Sequence, residues 1–341
     1  MLFYSINMFN TNQFCENSNR TYATNTPIKL IRFVRILYSF IILIVPYIYT
    51  TFFTHNKNMD TNTKTYLTPS LTRYLYDKTE VKHSLLFALF NRRREEALFW
   101  TYELYFSGFE DELVEWLRWI YSTFYAVQNT LFTELFEINL SRLDTLPDQD
   151  ERDCLVGTIV SNLAHRAYSI QMFTLEYLEM DIPNLPIPEN NHRFLIRFRP
   201  RDLEDYRTVE KSSIDKSSSF RYLQDVVKYP IYKNESLFIQ QHVFHESRQF
   251  DNKAYLDNWL YYCVNTPYWQ NILKKYTSFQ TDDTRQTATF ASDDELEAFH
   301  DEYGLEPDEQ PDEIHRARGV DVHRLGLFSP ISSETFYNQY K

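Results

Sequence analysis

The feature that most constrains the fold of this chain is a dense block of aromatic residues between Glu95 and Tyr125. Eleven of these 31 residues are Phe, Trp or Tyr. These aromatic residues and their aliphatic neighbours recur at spacings of three and four, which places them on one face of successive helices. Gly108 and the acidic residues after it predict the end of one helix and the start of the next. An aromatic stripe with this spacing is typical of a helical core rather than of a cofactor pocket.

Helical spacing also continues beyond the aromatic block. It extends over residues 78–93, 130–143, 151–180, 237–250 and 252–265. No second copy of any segment recurs at a fixed period, so the pattern is not that of a demonstrated repeat protein. We therefore predict a mainly α fold, either an irregular helical bundle or a helical-hairpin array.

Proline and charge patterns divide the chain further. Three prolines within residues 181–191 predict an extended linker. The linker would separate an N-terminal helical subdomain, 60–180, from a C-terminal helical subdomain, 192–280. An acidic C-terminal element and tail, 281–341, follows. Basic and apolar residues nearly alternate over 193–201, and this is the place where we expect a small β element at most.

The first 58 residues differ in composition from the rest, and two interpretations of them remain open. They contain five Lys or Arg residues and a single acidic residue, Glu16. Residues 36–54 are an uncharged stretch of 19 residues, about the length that crosses a bilayer, and basic residues precede it. This pattern predicts a single-pass membrane anchor. Alternatively, Met59 begins a polar sequence typical of the start of a soluble domain, and 1–58 would be an extension from a misplaced start.

Several classes of enzyme lack support in the sequence. The chain has only five glycines and no GxGxxG or Walker-type run, which argues against two large classes of nucleotide-binding enzymes. The three cysteines, Cys15, Cys154 and Cys263, form no CxxC pair, and no GxSxG elbow is present. Carboxylates are abundant, but no acid–base pair can be identified among them. We predict no catalytic residue and no cofactor, and the sequence favours a non-enzymatic protein.

One short motif has the ligand types of a metal site. In HVFHE, a helix would place His242, His245 and Glu246 on one face, at positions i, i+3 and i+4. Zinc needs three or four converging ligands, and a further ligand could come from elsewhere in the chain, for example His165 or His300. This motif predicts a metal-dependent enzyme as an alternative function. The competing interpretation is a polar helix face with two surface histidines.

Basic residues form two clusters in an otherwise acidic chain. The formal net charge is -12, which argues against nucleic-acid binding by the molecule as a whole. The first cluster, 92–94, lies at a predicted helix end, where basic residues suit the helix dipole. The second cluster could follow a phosphate backbone, or it could protect an edge strand from aggregation. It comprises Arg193, Arg197, Arg199 and Arg201, with Phe194 and Phe198 between them.

The acidic segment 292–313 is the best candidate for a partner-binding element. Ser292 and Glu295 form a capping box, so a short helix is predicted to start there and to stop at Gly304. Acidic residues around a few large apolar ones suit docking to a basic protein partner. The alternative is a helix packed on its own domain with a solvated acidic face. The predicted partner-binding residues are Leu296, Phe299, Tyr303, Leu305, Glu306, Asp308 and Glu309.

Two stretches, EEALFWTYELYFSGFEDE (95–112) and ELEAFHDEYGLEPDEQP (295–311), resemble an α-helical protein family of giant (nucleocytoplasmic large) DNA viruses. The likeness spans roughly residues 66–320 and omits 1–58. It brings no activity and no catalytic residue with it. The resemblance implies a viral origin and a place in the host cytoplasm or the viral factory. With the acidic segment, it predicts an interaction or scaffold protein, located at a membrane if the N-terminal segment is an anchor.

Overall fold

The computed structural model describes residues 70–180, 193–207, 228–245, 257–303, 316 and 328–341. All of them belong to one compact unit, Leu67–Lys341. The predicted anchor, 36–54, and the predicted linker, 181–191, lie outside the described residues. Among the residues that are described, no helix is both long enough and apolar enough to cross a bilayer.

The described chain is mainly helical, as predicted, with one small antiparallel β-hairpin. Its strands are β1 (Phe279–Asp282) and β2 (Thr287–Phe290), in a register that pairs Phe279 with Phe290. The helices before the predicted linker are α1 (Lys78–Phe90), α2 (Arg94–Tyr105), α3 (Glu110–Ile120), α4 (Thr133–Leu143), α5 (Gln149–His165) and α6 (Gln171–Tyr177). Those after it are α7 (Pro200–Arg207), α8 (Lys233–Val243), α9 (Trp259–Cys263), α10 (Pro267–Leu273), α11 (Asp293–Tyr303) and α12 (Ser333–Tyr340).

Local sequence explains where the first helices begin and end. The carboxylate of Asp77 accepts hydrogen bonds from the backbone N–H groups of Thr79 and Glu80, at 2.8 and 3.0 Å, and thereby caps α1. Gly108 follows α2 with a φ of 88°, as expected of a residue that ends a helix in the left-handed conformation. A Cβ at this position would also collide with the ring of Pro267. The predicted break between the second and third helices is therefore confirmed.

The aromatic block forms the centre of the larger hydrophobic core. Nine of its eleven aromatic side chains are buried, and Phe106 and Trp119 are half-buried. Edge-to-face and stacked pairs join them, for example Phe99 with Trp100, whose ring centroids are 4.8 Å apart. The buried residues of the block are Phe99, Trp100, Tyr102, Tyr105, Phe109, Trp116, Tyr121, Phe124 and Tyr125. The interpretation of this block as a bundle interior rather than a ligand pocket is confirmed.

The larger core draws on segments from both sides of the predicted linker. Phe198, Phe238 and Phe336 all pack within it, together with the residues of α1 to α6. A smaller core forms between α9, α10, the hairpin and α11, around Trp259 and Trp269. Because residues 181–191 themselves are outside the described residues, the division into two subdomains stays a prediction.

The β element was predicted at the wrong place. Residues 193–199 form no regular secondary structure and pair with no strand among the described residues, and α7 begins at Pro200. Side chains of α5 bind this backbone instead. The Asn162 amide accepts from the N–H of Ile196 at 3.2 Å and donates to its carbonyl at 2.7 Å, and the Thr158 hydroxyl accepts from the N–H of Phe198 at 3.0 Å. The alternating sequence is thus paired with a polar helix face.

The predicted long helix over 151–180 is also interrupted. α5 ends at His165, and Arg166 adopts an extended conformation with a ψ of 154°. The Arg166 guanidinium is buried, with its carbon 3.5 Å from the ring centroid of Phe132, and it donates to the Asn129 side chain and the Arg193 carbonyl. The helix therefore ends next to a buried side chain that binds residues outside α5. α6 then starts five residues further on, at Gln171.

Candidate functional site

The predicted metal motif is not arranged on a continuous helix. α8 ends at Val243, and His245 lies beyond this end with a φ of 52°, so His242 and His245 do not share a helix face. His242 Nδ1 donates to the carbonyl of Phe238 at 3.0 Å. Glu246 is outside the described residues. Within the described ranges no group of three or more His, Cys, Asp or Glu side chains is placed to hold a metal ion.

A buried ion pair ties the start of the described chain to α2 and α7. Arg73 Nε donates to Glu103 Oε2 at 3.0 Å, and both side chains are at most 5% exposed. The other guanidinium nitrogens of Arg73 donate to the carbonyls of Tyr206 and Arg207 at 2.7 and 2.6 Å, which satisfies the end of α7. All three guanidinium nitrogens of Arg73 therefore donate hydrogen bonds to other residues of the protein. This pair is therefore a structural connection.

A second polar cluster joins α1 to α8. Lys233 forms an ion pair with Glu80, and burial raises the pKa of the Glu80 carboxyl to about 7 although the charge of Lys233 opposes the shift. One turn further along α1, His83 Nδ1 lies 2.7 Å from the hydroxyl oxygen of Ser236. This is the spacing of a nucleophile and its base. However, His83 and Ser236 are at most 1% exposed and burial lowers the pKa of His83 to about 3, so the pair does not face a substrate.

One face of the acidic helix α11 packs against the smaller core. Phe299 is buried among Trp259, Trp269 and the hairpin, so its side chain is committed to the fold and not to a partner. Glu295 accepts from the hydroxyl and backbone N–H groups of Thr277 and Ser278, at distances between 2.7 and 3.2 Å. The hydrogen bonds from Ser278 and then Thr277 lower the pKa of the Glu295 carboxyl to about 2. The helix is thus anchored by one ring and one carboxylate.

The opposite face of α11 carries carboxylates towards solvent. Four acidic side chains are exposed, and within the described ranges none of them has an ion pair; we call this set the acidic face, and it consists of Asp293, Asp294, Glu297 and Asp301. The neighbouring Glu302 pairs with Lys275 at 3.5 Å. Of the other predicted partner-binding residues, Leu296 is half-buried and Tyr303 is the last residue of the helix. Leu305, Glu306, Asp308 and Glu309 lie outside the described residues, so their role stays a prediction.

The structure also brings together polar residues that the sequence analysis treated separately. A cavity of about 430 Å³ lies between α2, α5, the segment 193–199 and α7. Basic residues from both predicted clusters line it, and His165, considered above only as a metal ligand, lies in its wall. No sequence signal links these positions, because they are far apart in the chain. The charged lining residues are Arg94, Glu95, Arg197, Arg199, Asp202 and Asp205.

Comparisons with protein-family models, with curated proteins and with solved structures found no match to this chain. The function therefore has to be argued from the arrangement of its own residues.

Proposed function

We propose that this protein is a non-enzymatic interaction or scaffold protein, and that the acidic face of α11 binds a basic protein partner. One observation carries the proposal: four neighbouring carboxylates are exposed, without a cation partner among the described residues, on a helix that is itself anchored. In contrast, the buried charged pairs described above, Arg73–Glu103 and Glu80–Lys233, are used within the fold. A fixed surface of one sign favours association with a surface of the opposite sign.

The anchoring of α11 supports a preformed binding surface rather than a segment that folds on binding. The contacts of Phe299 and Glu295 hold the helix in place before any partner arrives. A preformed surface avoids the free-energy cost of ordering a disordered segment during association. The predicted partner-binding residues Glu306, Asp308 and Glu309 follow this helix in the sequence, and their role stays part of the proposal. The predicted apolar contact through Phe299 is replaced in this proposal by contacts through charge.

The resemblance to giant-virus proteins supports a proposal about where in the cell the protein acts. A protein of this kind would act in the host cytoplasm or in a viral factory, and it would act at a membrane if residues 36–54 form an anchor. Fractionation of the native protein with measurement of its intact mass tests the latter point. A mass that starts at Met1, found in the membrane fraction, would support the anchor. A mass that starts at Met59, found in the soluble fraction, would contradict it.

Charge reversal on the acidic face tests the proposed function directly. The variant Asp293→Lys, Asp294→Lys and Glu297→Lys leaves Phe299 and Glu295 in place, so the fold is retained. We expect it to lose at least about tenfold in affinity for a labelled Lys/Arg-rich peptide, because three favourable charge contacts become repulsive. Binding to the unmodified protein should weaken as salt rises through about 0.1 M, where the Debye length is about 10 Å. Fluorescence anisotropy measures both effects.

The matched control changes the same net charge elsewhere. Glu134→Lys, Glu151→Lys and Asp144→Lys also replace three exposed acidic residues that form no ion pair within the described part of the chain. Glu134 and Glu151 lie in first helical turns, as Asp293 and Asp294 do. We expect this control to keep most of the peptide affinity. Equal losses in the two triple variants would contradict the proposal, because the peptide would then respond only to net charge.

A further inference from the structure

The cavity between α2, α5, the segment 193–199 and α7 contains an oriented cation. Arg94 Nε donates to the Ser161 hydroxyl at 3.0 Å, and Arg94 Nη1 donates to Glu95 Oε1 at 2.6 Å. These two contacts hold the guanidinium plane in one orientation beside the ring of Phe198, at 6.0 Å. The second terminal nitrogen, Nη2, has no hydrogen bond to any described residue. It can therefore donate to a ligand in the cavity.

A second guanidinium in the same wall, that of Arg197, has no partner among the described residues. The side chain of Arg197 is exposed and makes no hydrogen bond or ion pair with the described residues. Its backbone is nevertheless held on both sides, because Asn162 binds Ile196 and Thr158 binds Phe198. The backbone on either side of Arg197 is thus fixed, whereas its guanidinium has no partner among the described residues. Such a guanidinium matches the paired oxygens of phosphate or carboxylate groups.

The carboxylates of the cavity set a limit on the charge of its ligand. Glu95 is occupied by Arg94 and by the Tyr206 hydroxyl, which donates to it at 2.5 Å. Asp202 accepts from the N–H of Arg199 at 3.1 Å and lies 3.5 Å from the side-chain nitrogen of the same residue. Only Asp205 lacks such a partner among the described residues, and it would oppose an anion. The three carboxylates balance the three guanidinium groups of the lining, so an anionic group would be held by the hydrogen bonds that Arg94 and Arg197 can donate rather than by a net positive charge. The absence of a net positive charge in the lining disfavours a polyanion such as a nucleic-acid strand.

We propose that this cavity binds the phosphoryl group of a small phosphorylated ligand, with Arg94 and Arg197 as its donors. The volume of about 430 Å³ falls in the range of small-molecule sites and exceeds what a bare phosphate needs. Phe198 and Tyr206 also line the cavity, but each side chain is at most 5% exposed, so the ligand would be held mainly by polar groups. His165 Nδ1 donates to the Ser161 carbonyl at 2.9 Å, which leaves its Nε2 as a further polar group at the cavity. This site is separate from the acidic face of α11.

Binding of small phosphorylated probes to the full chain tests the proposal. Isothermal titration calorimetry would compare ribose 5-phosphate and AMP with ribose, adenosine and inorganic phosphate. We expect saturable binding of at least one of the two phosphorylated compounds and none of its dephosphorylated counterpart. Equal binding of ribose 5-phosphate and ribose, or of AMP and adenosine, would overturn the role of the phosphoryl group. Binding of inorganic phosphate alone, or of no probe at millimolar concentration, would overturn the ligand class.

Three single variants make the test specific to this cavity. Arg197→Gln should weaken binding about tenfold or more, because it removes a charge-assisted hydrogen bond without disturbing any contact of the fold. Asp205→Asn should strengthen binding a few-fold, because it removes the unpaired opposing charge. Arg201→Gln is the control for net charge. Arg201 is exposed in the first turn of α7 and does not line the cavity, and Asp202, with which it pairs, keeps Arg199 as a partner. Equal weakening by Arg197→Gln and Arg201→Gln, or no gain from Asp205→Asn, would contradict the proposed site.

Discussion

At the scale of single residues, the buried charges of this protein act on the fold. Arg73 connects its own segment to α2 and α7, because its buried guanidinium pairs with Glu103 and donates to two carbonyls at the end of α7. A buried ion pair adds little compared with apolar side chains of the same size, but the loss of one partner leaves an isolated charge in the interior. This asymmetry can be measured.

We expect Glu103→Leu to lower the free energy of unfolding by about 3–5 kcal/mol, because Arg73 is then left buried without its carboxylate. The double variant Arg73→Met/Glu103→Leu should be less destabilised than the sum of the two single variants. Urea unfolding followed by circular dichroism measures all three. Glu115→Ala, which breaks an exposed pair with Arg118, is the control and should cost less than about 1 kcal/mol. A cost of the same small size for Glu103→Leu would contradict the structural role.

The sequence could predict some residue roles but not others. The left-handed Gly108 and the burial of the aromatic block followed from local pattern alone. The pairing of Arg73 with Glu103 joins residues 30 positions apart, and the cavity joins Arg94 to Arg197. Such pairings depend on how helices cross, which single-residue spacing does not encode. For His242 and His245 the local pattern was wrong: their spacing predicted a shared helix face, but α8 ends at Val243, before His245.

At the scale of elements, the helices were predicted well in type and less well in length. The helical pattern over 151–180 gave no sign of the break at Arg166, whose guanidinium is buried against Phe132 directly after α5. The alternating segment 193–201 was read as a strand because its partner, the polar face of α5, has no signature in a local pattern. Asn162 and Thr158 provide that partner, and Gly157 gives the segment room to approach the helix.

Gly157→Ala should destabilise the protein, although alanine favours helices by about 1 kcal/mol over glycine. A Cβ at this position would lie within 2.6 Å of the Phe198 ring and closer still to the Tyr102 hydroxyl. Overpacking of this kind costs about 1–3 kcal/mol, so we expect a net loss of stability. Thermal and urea unfolding measure the loss of stability. The control is Glu134→Ala at an exposed position of α4, and we expect its stability to lie within about 0.5 kcal/mol of the parent. A stabilised Gly157→Ala variant would show that Phe198 does not pack where the structure places it.

At the scale of the whole molecule, two hydrophobic cores of unequal size hold the described chain together. The larger core includes Phe336 and Tyr340 of α12 and Phe87 of α1, so segments from opposite ends of the described chain close on each other. The smaller core holds α11 through Phe299. Composition and periodicity predicted a mainly α molecule, but not which helices share a core. The proposed interaction surface depends on which helices pack in the smaller core, because this core holds α11 and with it the acidic face.

The central claim is that α11 is ordered before a partner binds and that its acidic face makes the contact. Hydrogen–deuterium exchange of the full chain, alone and with a Lys/Arg-rich peptide, tests it most directly. We predict that the amides of α11 exchange slowly in the free protein and that the peptide slows exchange further in α11 and in the adjoining residues 277–278. Exchange of α11 at the rate of an unfolded segment, or protection by the peptide only in other helices, would contradict the account.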